Sequence, residues 1–580
     1  MVKVLSTNIV SPLGMTAEEN WQAVLAGKSA LRRLGGWRNI PEPFVASAFT
    51  DGQIESLAVP GMSRFESMVL RSVGDAVSRS GIDTGDGRTV FILSTTKADV
   101  EELPSDGVGF GNYRRPAEVA ERIAAQFGIA PSAVIVCCNA CISGISAQVL
   151  ADRLLSTGRY DNAVVCGADC VTAFCAAGFL SFKSLSPEPC RPFDIDRLGL
   201  NLGEGAATVV FTREDSPLEG RWHFVDSCLD NDAYHLSAPS PAGSGALKAL
   251  QSVMQGRESG SLAFLNAHGT ATMFNDQMES VAIQKAGLSD VPLTALKGWY
   301  GHTFGASGVI EAVISMKSAE EGTVLPVRGF REIGVSGKIN ISSVLRHTDR
   351  RSFLKMISGF GGCNGAALYS MDVPGKSSGT GCGECASRSG NHEPAELQCP
   401  HSVRLTESSL EIDGVRQDVT EHGKALLTEI YRKHIGDWPK YFKMDLLGRL
   451  VFLASELLLR PEGDCGDSER ATVLFNRTSS IVSDRSHIAS YSREGNFFPS
   501  PSVFLYTLPN IVTGEIAIRH GYTGETSLYI LDRRNREMME DVVRSTFAMS
   551  GNLRSMLCGW VDCSGEDCFE ASLCLINKMQ

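Results

Sequence analysis

One stretch of the chain, residues 134–148, constrains the fold more than any other. It begins with an apolar run, Val134-Ile-Val-Cys, passes through small residues around Cys141, and continues with apolar side chains at helical spacing. A second apolar run follows at residues 163–166. This pattern predicts a strand, a turn, a helix and a second strand, with a cysteine at the turn. The chain is therefore expected to be an α/β protein.

A cysteine at the start of a helix has a chemical use. The helix dipole and the free N–H groups favour an anion and lower a thiol pKa from its usual value of about 8.5. A backbone N–H of the same turn can also stabilise an oxyanion. However, a buried cysteine with only a packing role is common inside proteins. This stretch alone leaves both interpretations of Cys141 open.

Composition excludes several classes of protein. The 580 residues suffice for two or more domains, and 43% hydrophobic with 21% charged residues is ordinary for a soluble globular protein. The net charge of −12 argues against nucleic-acid binding. No apolar run is long enough to span a membrane, and the N-terminus lacks the apolar core of a signal peptide. The 17 cysteines are scattered and are interpreted as reduced thiols, so we expect a cytoplasmic location.

The chain divides into three parts. Residues 1–373 and 403–580 show periodic hydrophobicity, and the intervening segment, 374–402, is rich in Gly, Ser, Cys and Glu. That composition predicts a flexible linker. The linker also contains potential zinc ligands, namely Cys382, Cys385, Cys399, His392 and His401. Only one pair has Cys-x-x-Cys spacing, so a plain linker is favoured over a metal site.

Polar and glycine-rich segments follow several predicted strands of the first part. The strand at 262–265 leads into Asn-Ala-His268-Gly-Thr, with Asp276 and Glu279 beyond it. Open α/β sheets bind ligands at such strand ends. Two further segments, 296–308 and 357–365, are rich in glycine, which permits close backbone approach.

The second part repeats the pattern of the first without its polar loops. Three segments of the second part, 441–457, 472–475 and 556–562, match three segments of the first, 64–77, 90–93 and 164–169. By this comparison, the counterpart of the stretch at 134–148 is expected near residues 504–514. That segment contains no cysteine.

Taken together, the motifs of residues 1–370 resemble the β-ketoacyl synthases of the thiolase superfamily. The resemblance rests on Val-Ser-Pro-Leu-Gly14, Asn-Ala-Cys141-Ile-Ser-Gly, Cys-Arg-Pro-Phe-Asp194, Leu-Gly-Glu-Gly205, Asn-Ala-His268-Gly-Thr, Asn-Asp276, Lys297, Gly-His302-Thr and Gly-Phe360-Gly-Gly, in family order. It implies a thiolase-like layered α-β-α-β-α fold, followed by a second, partial thiolase-like α/β domain.

The resemblance also implies roles for individual residues. Cys141 would be the nucleophile, His268 and His302 the active-site histidines, and Lys297 a further catalytic residue. Further residues would support these four. Phe360 would be a gating side chain, and the N–H groups of Cys141 and Phe360 would form the oxyanion hole. The supporting residues are Glu279, Asp276, Phe360 and Gly361. His235 is interpreted as structural. Neither a metal nor another cofactor is required.

The implied reaction is a decarboxylative condensation of an enzyme-bound acyl group with malonyl carrier protein. The implied partners are acyl carrier protein, acyl and malonyl thioesters, and a second subunit in a homodimer or a heterodimer with a ketosynthase-like chain. Cys137, Cys138 and Cys363 are rival nucleophiles. Cys363-Asn-Gly365 also resembles the second cysteine motif of thiolases, so a non-decarboxylating thiolase or acyltransferase is the alternative enzyme. A non-catalytic chain-length or scaffold subunit is the other alternative.

The second part resembles a degenerate N-terminal half of the same fold. It lacks the nucleophile and both histidine segments, and is similar to the chain-length-factor-type partners of ketosynthases in aryl-polyene and flexirubin pathways. One departure concerns the first part, where the segment between Leu93 and Cys141 is shorter than is usual in the family. In the family that segment helps to form the dimer and the acyl pocket.

Overall fold

The computed structural model describes residues 1–105, 109–372, 397–462, 469–492 and 497–579. Its strands are β1 (Val2–Val10), β2 (Leu31–Leu34), β3 (Phe44–Ser47), β4 (Thr89–Ser94), β5 (Val134–Cys137), β6 (Asn162–Asp169), β7 (Leu202–Gly203), β8 (Gly205–Arg213), β9 (Trp222–Asn231), β10 (Phe264–Asn266), β11 (Pro292–Thr294), β12 (Thr323–Val324), β13 (Asn340–Ile341), β14 (Arg346–His347), β15 (Ser352–Ser358), β16 (Cys363–Ser370), β17 (Leu397–Thr406), β18 (Leu410–Ile412), β19 (Val415–Gln417), β20 (Arg470–Asn476), β21 (Thr526–Ile530), β22 (Ser555–Gly565) and β23 (Cys568–Lys578).

The α-helices are α1 (Ala17–Leu25), α2 (Asp51–Leu57), α3 (Arg64–Ser80), α4 (Pro116–Ala125), α5 (Ser143–Ser156), α6 (Ala173–Ser181), α7 (Ser244–Met254), α8 (Met273–Lys285), α9 (Lys297–Tyr300), α10 (Ser307–Glu320), α11 (Gly423–Ile430), α12 (Leu446–Leu459), α13 (Ile481–Tyr491), α14 (Pro501–Tyr506), α15 (Ile511–His520) and α16 (Arg536–Met549). None of the helices in the described residues is long and apolar enough to cross a membrane.

The first part of the chain forms two sheet units. In the first, the strand order is β1-β8-β6-β4-β5, with β4, β5 and β6 parallel and β8 antiparallel to β1 and β6. In the second, the order is β9-β16-β15-β10-β11-β13. Helices α5 and α10 contact strands of both units and are buried almost all round. Helices buried in this way form a central layer. With α3 and α7 on the outer faces, the predicted α-β-α-β-α arrangement is confirmed.

The second part repeats the first sheet unit. Its strand order is β17-β23-β22-β20-β21, with the same relative directions as β1-β8-β6-β4-β5. Helix α12 packs on this sheet as α3 packs on the first. The two units join edge to edge, because β5 and β21 pair antiparallel through Cys137 with Tyr529 and Val136 with Ile530. One continuous sheet therefore runs through both parts of the chain.

This topology corrects the predicted position of the repeated turn. Strand β21 occupies the place of β5, so the counterpart of residues 134–148 is β21, the turn at 531–535 and α16. The expected location, residues 504–514, instead comprises the second half of α14 and the start of α15. Apolar helix ends and apolar strand ends look alike in sequence, which is why pattern matching failed here. The corrected turn also lacks a cysteine.

The predicted linker also needs a correction at its end. Most of the range 374–402 lies outside the described residues, and so do Cys382, Cys385 and His392. Residues 397–402, however, belong to β17, which pairs with β23 over most of its length. The second sheet unit therefore begins by Leu397 and not at residue 403.

Candidate active site

Cys141 lies at a strained turn between β5 and α5. The preceding residue, Ala140, has φ of +48°, a left-handed conformation that costs a non-glycine residue about 1–2 kcal/mol. The turn is held by Asn139, whose Oδ1 accepts the backbone N–H of Leu528 at 2.7 Å. Leu528 belongs to β21, so the second sheet unit helps to fix the turn. The result is a half-buried thiol directly before a helix N-terminus.

The Cys141 sulfur is surrounded by hydrogen-bonding groups. His302 Nε2 lies 3.0 Å from Cys141 Sγ, and the backbone N–H groups of Cys141 and Phe360 also face this sulfur. Burial raises the pKa of the Cys141 thiol to about 12, while the nearby Lys297 ammonium and the two N–H groups oppose that rise. At neutral pH the thiol is therefore protonated at rest, with His302 as the group in contact to take its proton.

The two histidine rings meet edge to face. Their centroids are 5.1 Å apart, and both rings are buried. Burial, and then the charge of Lys297, holds the pKa of each histidine well below its usual range. Both imidazoles are therefore neutral, and each has one N–H to donate.

The partner of each Nδ1 atom determines which nitrogen carries that proton. Lys297 Nζ lies 3.4 Å from His268 Nδ1, and an ammonium group can only donate, so the proton of His268 is on Nε2. His302 Nδ1 lies 3.1 Å from the Ser307 hydroxyl, which can either donate or accept. His302 can therefore exchange tautomers, whereas His268 is a fixed Nε2 donor.

A buried charge network supports His268 from behind. Lys297 and Lys355 both bind the carboxylate of Glu311, the second through Oε2 at 2.7 Å. All three side chains are at most 3% exposed. Lys355 Nζ also donates to the carbonyls of Asn266 and Ala267, next to His268. Two lysines therefore share the carboxylate of Glu311 beside the histidines.

The predicted supporting carboxylates shape the loop that carries His268. Glu279 accepts the backbone N–H groups of His268 and Gly269, each at 2.7 Å. Asp276 accepts the N–H groups of Phe193 at 2.7 Å and Ala271 at 3.1 Å. Burial raises the pKa of Glu279 to about 7 and that of Asp276 to about 6. Both residues therefore act on the loop backbone and not directly on Cys141.

Phe360 and Gly361 form the opposite wall. The Phe360 ring packs against Phe179 and Phe182, with centroids 6.2 Å and 5.5 Å away. Gly361 has φ of +91°, which a side chain would make unfavourable. From the second sheet unit, Phe504 reaches the same aromatic cluster, with its ring 5.4 Å from that of Phe179.

The rival residues occupy different surroundings. Cys137 and Cys138 are fully buried, and burial raises the pKa of Cys138 to about 12. Cys363 is also buried, and its thiol donates to the Phe360 carbonyl at 3.2 Å. His235 accepts two backbone N–H groups of its own turn. None of these four side chains has the contacts that Cys141 makes.

The same trio could be considered as a metal site. The donor atoms of Cys141, His268 and His302 lie within 4.8 Å of one another, the one such group among the residues that the structure describes. Sulfur and nitrogen ligands of tetrahedral zinc lie about 3.5 Å apart, given the usual bond lengths. The separation of 3.0 Å between Cys141 and His302 instead matches a hydrogen bond. The geometry fits acid–base chemistry at a thiol better than metal binding.

Sequence reasoning missed several residues of this site. Glu311 and Lys355 are the most important, and each interrupts an apolar run, Val-Ile-Glu311-Ala-Val-Ile and Phe-Leu-Lys355-Met-Ile. A charge in the middle of a buried segment is a usable signal, because such a charge needs a partner. Ser307 and Asn510 gave no comparable signal in the sequence.

The fold and the site together are typical of a thiolase-like enzyme in which a cysteine at a helix N-terminus lies beside two neutral histidines. Family models for the β-ketoacyl synthase N-terminal and C-terminal domains match residues 1–216 and 223–331. The chain belongs to the β-ketoacyl synthase family, the acyltransferase-type condensing enzymes.

Named relatives agree with this assignment. A putative mitochondrial 3-oxoacyl-[acyl-carrier-protein] synthase of Schizosaccharomyces pombe is 26% identical over 436 residues, covering 64% of this chain and 99% of the relative. The 3-oxoacyl-[acyl-carrier-protein] synthase 2 of Vibrio cholerae is 28% identical over 412 residues, covering 63% and 98%.

Solved structures extend the likeness of the fold. The structure of the PfaC keto synthase-chain length factor matches 100% of this chain and 78% of its own, with a TM-score of 0.76 at 12% identity. The ketosynthase ApeO, solved in complex with its chain length factor ApeC from Xenorhabdus doucetiae, matches 64% of this chain and 97% of its own, with a TM-score of 0.53 at 24% identity.

Proposed function

We propose that this condensing enzyme is a β-ketoacyl-[acyl-carrier-protein] synthase that joins a Cys141-bound acyl group to malonyl carrier protein with loss of CO₂. The observation that supports this most is the contact of His302 Nε2 with Cys141 Sγ, beside a second neutral histidine. The expected substrates are acyl and malonyl thioesters of an acyl carrier protein. We further propose a fatty-acid-like, polyene or polyketide pathway and a cytoplasmic location.

The first step is the transfer of the acyl group. Cys141 Sγ attacks the thioester carbonyl carbon as His302 Nε2 takes the thiol proton. The carbonyl oxygen becomes an oxyanion, which the N–H groups of Cys141 and Phe360 stabilise. The carrier thiolate leaves and receives the proton, so acyl-carrier and free Cys141 become acyl-Cys141 and free carrier thiol.

The second step is condensation. When malonyl carrier protein loses CO₂, negative charge develops on the thioester oxygen of the resulting enolate. His268 Nε2–H and His302 Nε2–H donate to that oxygen, and Lys297 fixes the His268 tautomer that this requires. The enolate carbon then attacks the acyl-Cys141 carbonyl, and Cys141 leaves as a thiolate that takes up one proton from solvent. Removing one such donor typically costs about 2.7–4 kcal/mol of transition-state stabilisation.

The second sheet unit takes the place of a chain-length-factor-type subunit in this proposal. Its Phe504 ring inserts against Gly178 so closely that an added Cβ at Gly178 would lie 2.2 Å from the ring. The same ring packs against Phe179 and Phe182, which also contact Phe360. The proposal makes Phe504 a limit on the length of the bound acyl chain.

The thiolase alternative is less well supported. A thiolase needs a second thiol free to exchange a proton with the substrate, whereas the Cys363 thiol is committed to the Phe360 carbonyl. A non-catalytic role suits residues 397–580 but not the first part, where Cys141, His268 and His302 come together.

Labelled acyl carrier protein provides the test. Incubation with the protein should place the acyl group on Cys141, identified by peptide mass, and added malonyl carrier protein should then give a β-ketoacyl product and CO₂. The Cys141→Ala variant should take no label, whereas Cys228→Ala, a half-buried thiol outside the site, should behave as wild type. If no acyl-enzyme forms and no CO₂ is released, the synthase proposal fails. Acylation by coenzyme A thioesters alone would favour a thiolase.

A further inference from the structure

On one side, the glycine-rich turn at residues 359–362 is held by hydrogen bonds to other residues of the first part of the chain. The N–H of Gly361 donates to the Leu236 carbonyl at 2.7 Å, and Asn231 Nδ2 donates to the Gly361 carbonyl at 2.9 Å. The N–H of Asp232 donates to the Gly362 carbonyl at 2.7 Å. These bonds fix the part of the turn that follows Phe360.

The other side of the turn meets the second sheet unit. Asn510, the residue before α15, is 2% exposed, and its Nδ2 donates to the Phe360 carbonyl at 2.9 Å. The backbones also touch, because a Cβ added at Gly514 would lie 2.7 Å from the Gly361 carbonyl oxygen. The N-terminal part of α15 therefore contacts the turn directly, through the side-chain amide of Asn510 and the backbone at Gly514.

Phe360 is the residue whose backbone N–H faces Cys141 Sγ. Its carbonyl has two donors, the amide of Asn510 and the thiol of Cys363 at 3.2 Å. A thiol is a weak donor. Loss of the Asn510 amide would therefore leave the partly buried Phe360 carbonyl poorly satisfied, and the turn would shift to find another donor.

We infer that Asn510 is a positioning residue for the oxyanion hole, through which the second sheet unit aligns the Phe360 N–H with the thioester bound at Cys141. The inference rests on the proposed acylation of Cys141. It gives residues 397–580 a part in the chemistry itself and not only in the length of the acyl chain. A misplacement of about 1 Å at such a donor can cost about 100-fold in rate.

The test replaces Asn510 by Asp, which keeps the side-chain volume but removes the amide donor and sets a carboxylate against the Phe360 carbonyl.

The matched control is Asn535→Asp. Asn535 Nδ2 also donates to a carbonyl of the first part, that of Ser132 at 3.1 Å. Ser132 precedes the N-terminal end of β5, the end opposite to Cys141. Aspartate also caps helices well, so the start of α16 is preserved. A second variant, Gly514→Ala, displaces the turn without touching the amide.

Two readouts are measured for each full-length variant: the rate of acyl transfer from acyl carrier protein to Cys141, and the pH profile of Cys141 alkylation by iodoacetamide. Asn510→Asp and Gly514→Ala should slow acyl transfer about 10- to 100-fold. Both should move the alkylation profile to higher pH, because the Phe360 N–H no longer stabilises the thiolate. Asn535→Asp should change neither readout.

The two possible failures are distinguishable. Wild-type rates and an unchanged alkylation profile in Asn510→Asp would overturn the inference while leaving the synthase proposal intact. If the wild-type protein accepts no acyl group, the synthase proposal fails, and the alkylation profiles still decide whether Asn510 positions the Phe360 N–H. A thermal unfolding midpoint measured for every variant separates loss of the fold from loss of alignment.

Discussion

At the scale of single residues, the site is a balance of buried charges around two neutral histidines. Lys297 and Lys355 face Glu311, and Glu279 lies close enough to Lys355 to interact electrostatically with it. Two positive and two negative groups thus surround His268. A buried charge is tolerated only when it is paired and hydrogen-bonded. The network therefore holds His268 in one tautomer without leaving an uncompensated charge beside it.

Glu279 gives this network a dependence on pH. Burial, and then Asp276, raises its pKa to about 7, and only the ionised carboxylate accepts both loop N–H groups well. Protonation below pH 7 should therefore loosen the His268 loop. We expect the condensation rate to fall about 10-fold between pH 8 and pH 6. Glu279→Gln should show a lower plateau without this acid limb.

The control for that profile is Glu332→Gln, since Glu332 is exposed. Its acid limb should match that of the wild type. An unchanged acid limb in Glu279→Gln would show that another group, such as Asp276, controls the loop.

What the sequence revealed at this scale depended on local motifs. Cys141, His268 and His302 stand in short segments whose residue types already indicate chemistry, and the structure brings the three together. For Glu311 and Lys355, a charge within an apolar run signals that a buried partner exists, but the identity of that partner is defined only where α10 and β15 pack together. Asn510 was missed because it meets Phe360 across the two parts of the chain.

At the scale of elements, the two sheet units differ in how fully their faces are buried by neighbouring helices. Strand β8 is buried at every position but its last, whereas β23 alternates between buried and half-exposed residues. The half-exposed positions of β23 include Glu570, Ser572 and Cys574. In the first unit, α10 covers β8. The polar alternation indicates that one face of β23 is adapted to solvent, as in other half-covered antiparallel sheets.

Helix α14 of the second part packs against α6 of the first part. Truncation of its Phe504 should open the aromatic cluster, so Phe504→Ala should accept longer acyl chains and give longer products. The lost ring should also lower the free energy of unfolding by about 3–5 kcal/mol. Product lengths are measured by mass spectrometry after incubation with excess malonyl carrier protein.

Phe498→Ala is the matched control, because the Phe498 side chain is 75% exposed in the same region. It should leave both product length and stability unchanged. If Phe504→Ala gives the wild-type range of products, Phe504 does not limit the acyl chain.

The ends of an element can be read from the sequence where its caps are local. Helix α3 begins at the Ser63 capping box and ends at Gly81, whose φ is +76°, and both signals are adjacent to the helix in the sequence. The counterpart of the cysteine turn was misplaced because strand order, which no local pattern encodes, decides that β21, and not α14, is the counterpart of β5. The linker end was misplaced because β17 is polar on its exposed face.

At the scale of the whole molecule, the two sheet units are joined through buried ion pairs. Lys97 binds Asp484 at 2.6 Å, and Arg153 binds Glu525 at 2.6 Å, with all four side chains at most 7% exposed. Separating the parts would leave these charges unpaired, and breaking one buried pair typically costs about 3–5 kcal/mol. We therefore expect the two parts to unfold together. The family resemblance implied a second subunit, and here β21 of the same chain already occupies the edge of β5.

In the proposed function, one chain contains both a condensing domain and the partner that completes it. Size-exclusion chromatography with light scattering, followed by a condensation assay of each fraction, tests this proposal. We expect a monomer of 62.3 kDa to convert acyl and malonyl carrier proteins to the β-ketoacyl product, with a specific activity that does not change on dilution. Activity confined to larger species, or activity that requires an added ketosynthase-like subunit, would contradict it.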